Sequence, residues 1–231
     1  ILVSFGPSIR PHYCLHKPLP LIPGFSSLSS FNDFGLSSAM RSNLDQLGFA
    51  QPTEIQAKAL VPGLAGKDII AMAKTGSGKT AAFGLSLVEK LHPRLFAVQA
   101  LVFCPPRELA DQVAKAIREL ARARDNIKVL TLCGGVAIGP QIGSLSHGAH
   151  IVVGTPGRIQ DHLRKQTLSL ARLKIVVLDA ADRMLDMGFQ AAMEDIPSHT
   201  PSSRPPMMFP ATRPPPHPQL TTPVLSSHRN P

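Results

Sequence analysis

Between residues 31 and 196 the chain alternates short apolar runs with stretches of helical periodicity. The apolar runs are Lys67–Ala73, Gln99–Cys104, Ile127–Leu132, His150–Val153 and Lys174–Asp179, with Met207–Phe209 a candidate sixth. In 107–123, Leu109, Val113, Ile117 and Leu120 recur at spacings of four, four and three, which places them on one face of a helix. Asp111 and Lys115 stand at i,i+4 on that helix, a spacing that allows an ion pair. A second helical run covers Lys79–Leu91. Buried strands alternating with helices predict an α/β fold with a mostly parallel sheet covered on both faces. In such folds ligands bind at the carboxyl ends of the strands. No internal repeat is visible.

Composition divides the chain into three parts. Residues 1–30 hold five Pro and no acidic residue, and 197–231 hold eleven Pro and no acidic residue. The block 31–196 holds seven Pro and all fifteen acidic residues. The ends therefore read as Pro-stiffened, poorly ordered segments and the middle as the folded unit. An apolar content of 43% supplies a core and excludes global disorder. The formal net charge of +9 splits as +2, +4 and +3 along the three parts, which by itself is a weak nucleic-acid signal. No run reaches the ~18 apolar residues of a membrane span. Cys14, Cys104 and Cys133 are far apart, which excludes a disulfide scaffold and a Cys-x-x-Cys metal site and suits a reducing, cytoplasmic compartment. The nine His show no metal spacing; His147 and His150 are expected on a surface loop, and Cys133 as a small buried apolar residue.

The sharpest local signal is Thr75-Gly76-Ser77-Gly78-Lys79-Thr80, which follows an apolar run and opens a helical one. That context is the one a phosphate-binding loop requires. Gly76 and Gly78 let main-chain N–H groups curl round phosphate oxygens, and the helix N-terminus adds partial positive charge. Lys79 would reach the outer phosphates and the Thr80 hydroxyl would join a Mg²⁺ shell. The general pattern has Gly where Ala73 stands.

Further segments occur in a fixed order around that loop. They are Phe31-x-x-Phe34-Gly35-Leu36 with Gly48–Gln56, Cys104-Pro105-Pro106-Arg107-Glu108-Leu109-Ala110, Gly134-Gly135, and Thr155-Pro156-Gly157-Arg158. Asp179-Ala180-Ala181-Asp182 runs into Arg183–Phe189, and Phe209-Pro210-Ala211-Thr212 follows. Together they resemble the first RecA-like domain of DEAD-box RNA helicases, in which Ala73 heads the usual form of the phosphate loop. Ala73–Gly84, Ala100–Val113 and Val129–Leu145 are closest to the bacterial DbpA type. The resemblance implies a three-layer RecA-like P-loop domain over 31–212, between the Pro-rich segments 1–30 and 213–231; the family's second helicase domain is expected to be absent from this chain.

The resemblance also implies roles. Phe31 would stack on adenine, and the Gln56 amide would pair with its N6/N7 edge. Residues Thr75 to Thr80 would hold ATP, with Thr80 and Asp179 on Mg²⁺, partly through water. Lys79, Asp179 and Asp182 would form the catalytic set, and Thr212 would couple nucleotide state to RNA. Arg107, Gly134, Gly135, Thr155, Gly157 and Arg158 would contact the RNA backbone, a sequence-independent and salt-sensitive mode. The expected protein is a monomeric ATP-dependent RNA helicase domain, related to ribosome assembly and not bound to a membrane.

Four departures qualify that expectation. Ala180 replaces the Glu that activates the attacking water, and a methyl group accepts no proton. Pro106 removes a hydroxyl and an N–H from the RNA segment, and Pro210 replaces a coupling Ser. A second domain would normally supply arginines to the developing phosphate charge. Hydrolysis by this chain is therefore expected to be weak or absent. The alternative is a non-enzymatic ATP- and RNA-binding remnant, a truncated pseudo-helicase.

Overall fold

The computed structural model describes residues 2–4, 13–14, 30–67, 69–71, 76–195 and 199. At its centre are β4 (Ala100–Phe103), β5 (Val129–Leu132), β6 (Ile151–Gly154) and β7 (Ile175–Leu178), paired in parallel in the order β7-β4-β6-β5. Each coincides with a predicted apolar run, β6 ending one residue beyond it. β4, β6 and β7 are buried at every position, as strands covered on both faces must be. β5 forms the sheet edge and leaves Leu130 and Thr131 half-buried. Phe103 lies opposite both Gly154 and Leu178, and Leu132 opposite Gly154, so the four strands end level.

The other side of the sheet holds β3 (Ile69–Ile70), inside the predicted run Lys67–Ala73. β1 (Leu2–Ser4) lies between β3 and β7, antiparallel to both, and β2 (Tyr13–Cys14) pairs in parallel with β3. Two short pieces of the Pro-rich N-terminal segment thus join the sheet. Met207–Phe209, Ala73, Thr75, Pro210 and Thr212 lie outside the described residues.

Helices cover the sheet: α1 (Ser38–Gln46), α2 (Glu54–Leu64), α3 (Lys79–Glu89), α4 (Arg107–Ala121), α5 (Gly139–Ser146), α6 (Pro156–Arg164), α7 (Ala181–Asp186) and α8 (Gln190–Asp195). α3 is buried from Ala81 to Val88, because it packs against both α2 and α4. α4 shows the predicted amphipathic face, burying Val113, Ile117 and Leu120 together with Ala110 and Ala114, while Leu109 is half-buried at its margin. Asp111 pairs with Arg107 at 3.7 Å rather than with Lys115. Among the described residues no helix is long and apolar enough to cross a membrane.

His150 corrects an expectation. It is buried, not on a surface loop, because both ring nitrogens find main-chain partners. Nδ1 accepts the Lys128 N–H at 3.1 Å, and Nε2 lies 2.9 Å from the Pro93 carbonyl oxygen. His147 is exposed as expected, and Cys104 and Cys133 are buried free thiols.

Gly154 lies opposite Leu132 at the end of the parallel β5–β6 pairing. A Cβ there would overlap the Leu132 carbonyl oxygen, which is main chain and cannot swing away. Gly154→Ala is expected to lower stability by about 1–3 kcal/mol, the cost of overpacking a core. Gly143, helical, exposed and with open space around its Cβ position, gives the opposite sign. Gly143→Ala is expected to raise stability by about 0.5–1 kcal/mol. Urea midpoints of the two variants check both signs.

Candidate functional site

The level strand ends deliver four connections to one edge of the sheet. The ladder runs one residue further at each of three strands, as Cys104 N–H donates to Gly154 O at 3.0 Å, Thr155 N–H to Leu132 O at 3.1 Å and Asp179 N–H to Phe103 O at 2.9 Å. The chain then leaves the sheet at Cys104–Arg107, Cys133–Gly135, Thr155–Arg158 and Asp179–Asp182 and enters α4, α5, α6 and α7. Every segment singled out by motif inside 100–182 therefore lies on this carboxyl edge.

The described part of the phosphate loop, Gly76–Thr80, leads into α3. Its N-cap, Gly78, has φ +85°, and no side chain caps the first turn. The first turn's N–H groups are thus available to an anion. The loop is gripped from α2. The Gln56 side chain, in a residue only 2% exposed, accepts the Thr53 N–H at 2.9 Å through Oε1 and donates from Nε2 to Gly78 O at 3.2 Å. Thr53 Oγ1 donates to Ser77 O at 2.9 Å. A Cβ on Gly78 would overlap Gln56 Nε2, so this contact requires glycine as well as its backbone angle does. Among the described residues Ser77 Oγ, buried in the loop, has no hydrogen-bond partner.

Phe31 does not present the expected stacking face. It lies in a short 3-10 helix, Phe31–Phe34, that is 5% exposed at this residue. Its ring packs against Phe34 at 6.4 Å and edge-on to Phe49 at 6.1 Å. A capping box between Ser30 and Asp33 fixes the helix start and directs the ring into the core.

Asp179, 6% exposed, closes β7. Burial pushes its carboxyl above the usual carboxylate range, the Lys79 ammonium opposes that shift, and the Asp182 charge adds to it. Lys79 and Asp179 therefore belong to one electrostatic site. Asp182 Oδ1 is buried and makes no hydrogen bond among the described residues. Between them Ala180 is in the left-handed region, φ 60° and ψ 54°, as the N-cap of α7, and offers no side-chain cap. A Cβ in this conformation costs about 1–2 kcal/mol. Among the described residues no three His, Cys, Asp or Glu side chains gather into a metal cage.

The candidate RNA contacts divide in two. Arg107 is exposed beside Gly135, which has φ +78°, and pairs loosely with Asp111. Thr155 is the N-cap of α6 without a side-chain cap bond, and Gly157 lies in the first turn. Arg158 is different: its side chain is 11% exposed. Nη2 donates to Val136 O at 2.9 Å and Nη1 to Gln141 Oε1 at 3.1 Å. Its guanidinium thus faces the protein, correcting the expectation of a free phosphate contact. Thr53, Gln141 and His162 were not legible as site residues. Thr53 and Gln141 look like ordinary helix-start and helix-surface polar residues. His162 had one usable signal, its i,i+4 spacing from Arg158. It is fully buried, and burial pushes its imidazole below the ordinary value, with the Arg158 charge adding to the effect.

The family model of DEAD/DEAH box helicases matches residues 53–220. The chain belongs to the DEAD/DEAH box helicase family. It is 55% identical over 179 residues to the ATP-dependent RNA helicase DbpA of Escherichia coli K12, covering 78% of this chain and 39% of that protein. It is 44% identical over 187 residues to the DEAD-box ATP-dependent RNA helicase CshA of Bacillus subtilis 168, covering 81% of this chain and 38% of that protein. The chain thus spans about two fifths of these relatives' length. A DEAD box protein from Methanococcus jannaschii superimposes with a TM-score of 0.76 at 41% identity, over 80% of this chain and 51% of that one. A Dbp5 variant of S. cerevisiae bound to RNA and ADP BeF3 gives 0.71 at 31% identity, over 80% and 47%. The RecA-like α/β fold is that of the family. The match begins at Thr53, so it includes the Gln56 grip and leaves Phe31 outside it.

The strain at Ala180 is testable. Glycine adopts φ 60° without a Cβ penalty, so Ala180→Gly is expected to stabilise the protein by about 1 kcal/mol. A urea midpoint that falls instead would show that the left-handed turn is not the resting conformation.

Proposed function

We propose that this chain is the ATP-binding domain of an ATP-dependent RNA helicase, competent to bind nucleotide and RNA backbone but impaired in hydrolysis. The observation that carries the nucleotide reading is the Gly76–Thr80 loop, uncapped at the head of α3 and held by Gln56 and Thr53 beside Lys79 and Asp179. Phosphate would take the free N–H groups of the first turn and the Lys79 ammonium. Gln56 would still have one N–H and one lone pair for the adenine edge, since an amide offers two of each and the grip uses one of each.

Mg²⁺ fits this site in the company of a nucleotide. The Asp182 Oδ1 orphan and the buried Asp179 carboxyl are oxygen ligands of the right hardness, with Thr80 as the hydroxyl partner. Lacking a third carboxylate, the site needs phosphate oxygens and water to complete a shell, the habit of Mg²⁺ rather than of a protein-caged ion. When bound, the ion would neutralise charge developing on the phosphates. Nothing at position 180 can accept the proton of an attacking water, and loss of a general base costs about 10²–10⁴-fold in rate.

For RNA, Arg107, Gly134, Gly135, Thr155 and Gly157 supply a cation, a hydroxyl and main-chain N–H groups on the same carboxyl edge. Those groups read phosphate and sugar, not bases, which supports sequence-independent and salt-sensitive binding. The buried reduced cysteines accord with a cytoplasmic setting.

Titration calorimetry tests the nucleotide reading. ATP with Mg²⁺ is expected to bind more tightly than GTP, and Lys79→Ala to weaken ATP about ten-fold or more with the fold intact. Phosphate release by the unaltered chain is expected to stay below ~1 s⁻¹. Equal ATP affinity of the chain and its Lys79→Ala variant would contradict the assignment.

A further inference from the structure

Arg158, Gln141 and His162 form a partly buried hydrogen-bonded cluster, with His162 fully buried, against the Gly134–Gly135 turn. Arg158 has only donors, so the Gln141 amide must turn its oxygen toward Arg158 Nη1. Its nitrogen then faces the Cys133 carbonyl and donates to it at 3.0 Å. With Oε1 as an acceptor only, the His162 Nε2 atom 3.0 Å away must carry the ring proton. Nδ1 lies 2.8 Å from Thr167 Oγ1, whose one hydroxyl proton it shares with the His162 carbonyl oxygen at 3.2 Å. One orientation of one amide thus engages the guanidinium, whose Nε also lies 3.6 Å from Asp161 Oδ2, and sets the imidazole tautomer.

The cluster binds the turn from both sides. Gln141 holds the Cys133 carbonyl before Gly134, and Arg158 holds the Val136 carbonyl after Gly135. Among the described residues no hydrogen bond within the protein takes the N–H of Gly134, Gly135, Gly157 or Arg158. The carbonyls are turned inward and tied, and N–H groups of the turn and of the α6 start remain for a ligand. We propose that Gln141 is the positioning residue of the RNA-backbone surface: it joins the Gly134–Gly135 turn to the start of α6 and holds Arg158 as an internal strut, not a phosphate contact. The inference rests on the RNA reading of that surface. It assigns Gln141, in no named motif, a role as large as that of the motif residues, and it moves Arg158 from the ligand to the scaffold.

Two variants and two readouts test it on the full 231-residue chain. Gln141→Leu keeps the size and removes all three hydrogen bonds; Gln141→Glu keeps both acceptor contacts and loses only the donor to Cys133. The first readout needs no RNA. Nitrogen NMR of His162 is expected to show the Nε2–H tautomer in the unaltered chain and in Gln141→Glu, and a mixture in Gln141→Leu. An Nδ1–H tautomer in the unaltered chain, or no change in Gln141→Leu, overturns the proposal whether or not RNA binds.

The second readout is the affinity for a short oligouridylate across a salt series, with ATP affinity measured alongside. Gln141→Leu is expected to weaken RNA about ten-fold or more, the effect of leaving buried polar groups unpaired, with ATP binding unchanged. Gln141→Glu is expected to lose less. Arg158→Lys should also weaken RNA, and the double variant Gln141→Leu/Arg158→Lys no more than the worse single, since both act through one turn. Arg158→Gln is expected to leave the salt dependence unaltered. A fall of about 0.7 in its logarithmic slope, the signature of one lost phosphate contact, with additive losses in the double variant, overturns the strut role. Failure of the unaltered chain to bind RNA would instead remove the RNA reading of the surface and leave the tautomer result to decide the cluster.

Discussion

Parallel pairing in a level register is the constraint from which the site follows. Because β4, β5, β6 and β7 run in one direction and stop opposite one another, all four connections leave the sheet at a single edge. Residues as far apart in sequence as Arg107 and Asp182 are thereby brought to one face. The register depends in turn on main chain approaching main chain at Gly154, beneath the Leu132 carbonyl oxygen. Side chains at that edge are thus set by backbone hydrogen bonds in a sheet whose strands β4, β6 and β7 are buried at every position, which gives them a rigid support.

At the edge, two features cost the protein stability. Asp179 is buried with a carboxyl that burial makes harder to ionise, and Asp182 keeps a buried oxygen without a partner. Ala180 holds a left-handed conformation that a Cβ resists. A buried carboxylate oxygen without a partner among the described residues and a strained backbone beside a phosphate loop are features of a site that a ligand could complete. The loop itself is stiffened in advance, since Gln56 and Thr53 hold two of its carbonyls. That pre-organisation lowers the ordering cost at the moment of binding.

The strands of the core were readable because a strand buried on both faces must be apolar throughout, and α4 because its buried residues recur at the helical period. The motif segments were readable as chemistry. Side-chain direction was not. Phe31 looks identical in sequence whether its ring faces a ligand or the core, and only its neighbours Phe34 and Phe49 decide. His150 reads as a loop residue because its partners, the Lys128 N–H and the Pro93 carbonyl, are main-chain groups of any residue type. Arg158 is turned inward by a glutamine seventeen positions earlier on a different helix. β1 was illegible for another reason: a three-residue strand in a Pro-rich segment owes its place to the open edges of β3 and β7, not to a pattern of its own.

Hydrogen–deuterium exchange with and without ATP–Mg²⁺ tests most directly whether the carboxyl edge is the nucleotide site. Slowed exchange is expected over 76–82 and 178–184, where the uncapped turn of α3 and the Asp179–Asp182 segment lie. No change is expected over 92–98 and 124–128, at the opposite ends of the strands. Protection at that opposite edge, or none at 76–82 under saturating nucleotide, would contradict the account.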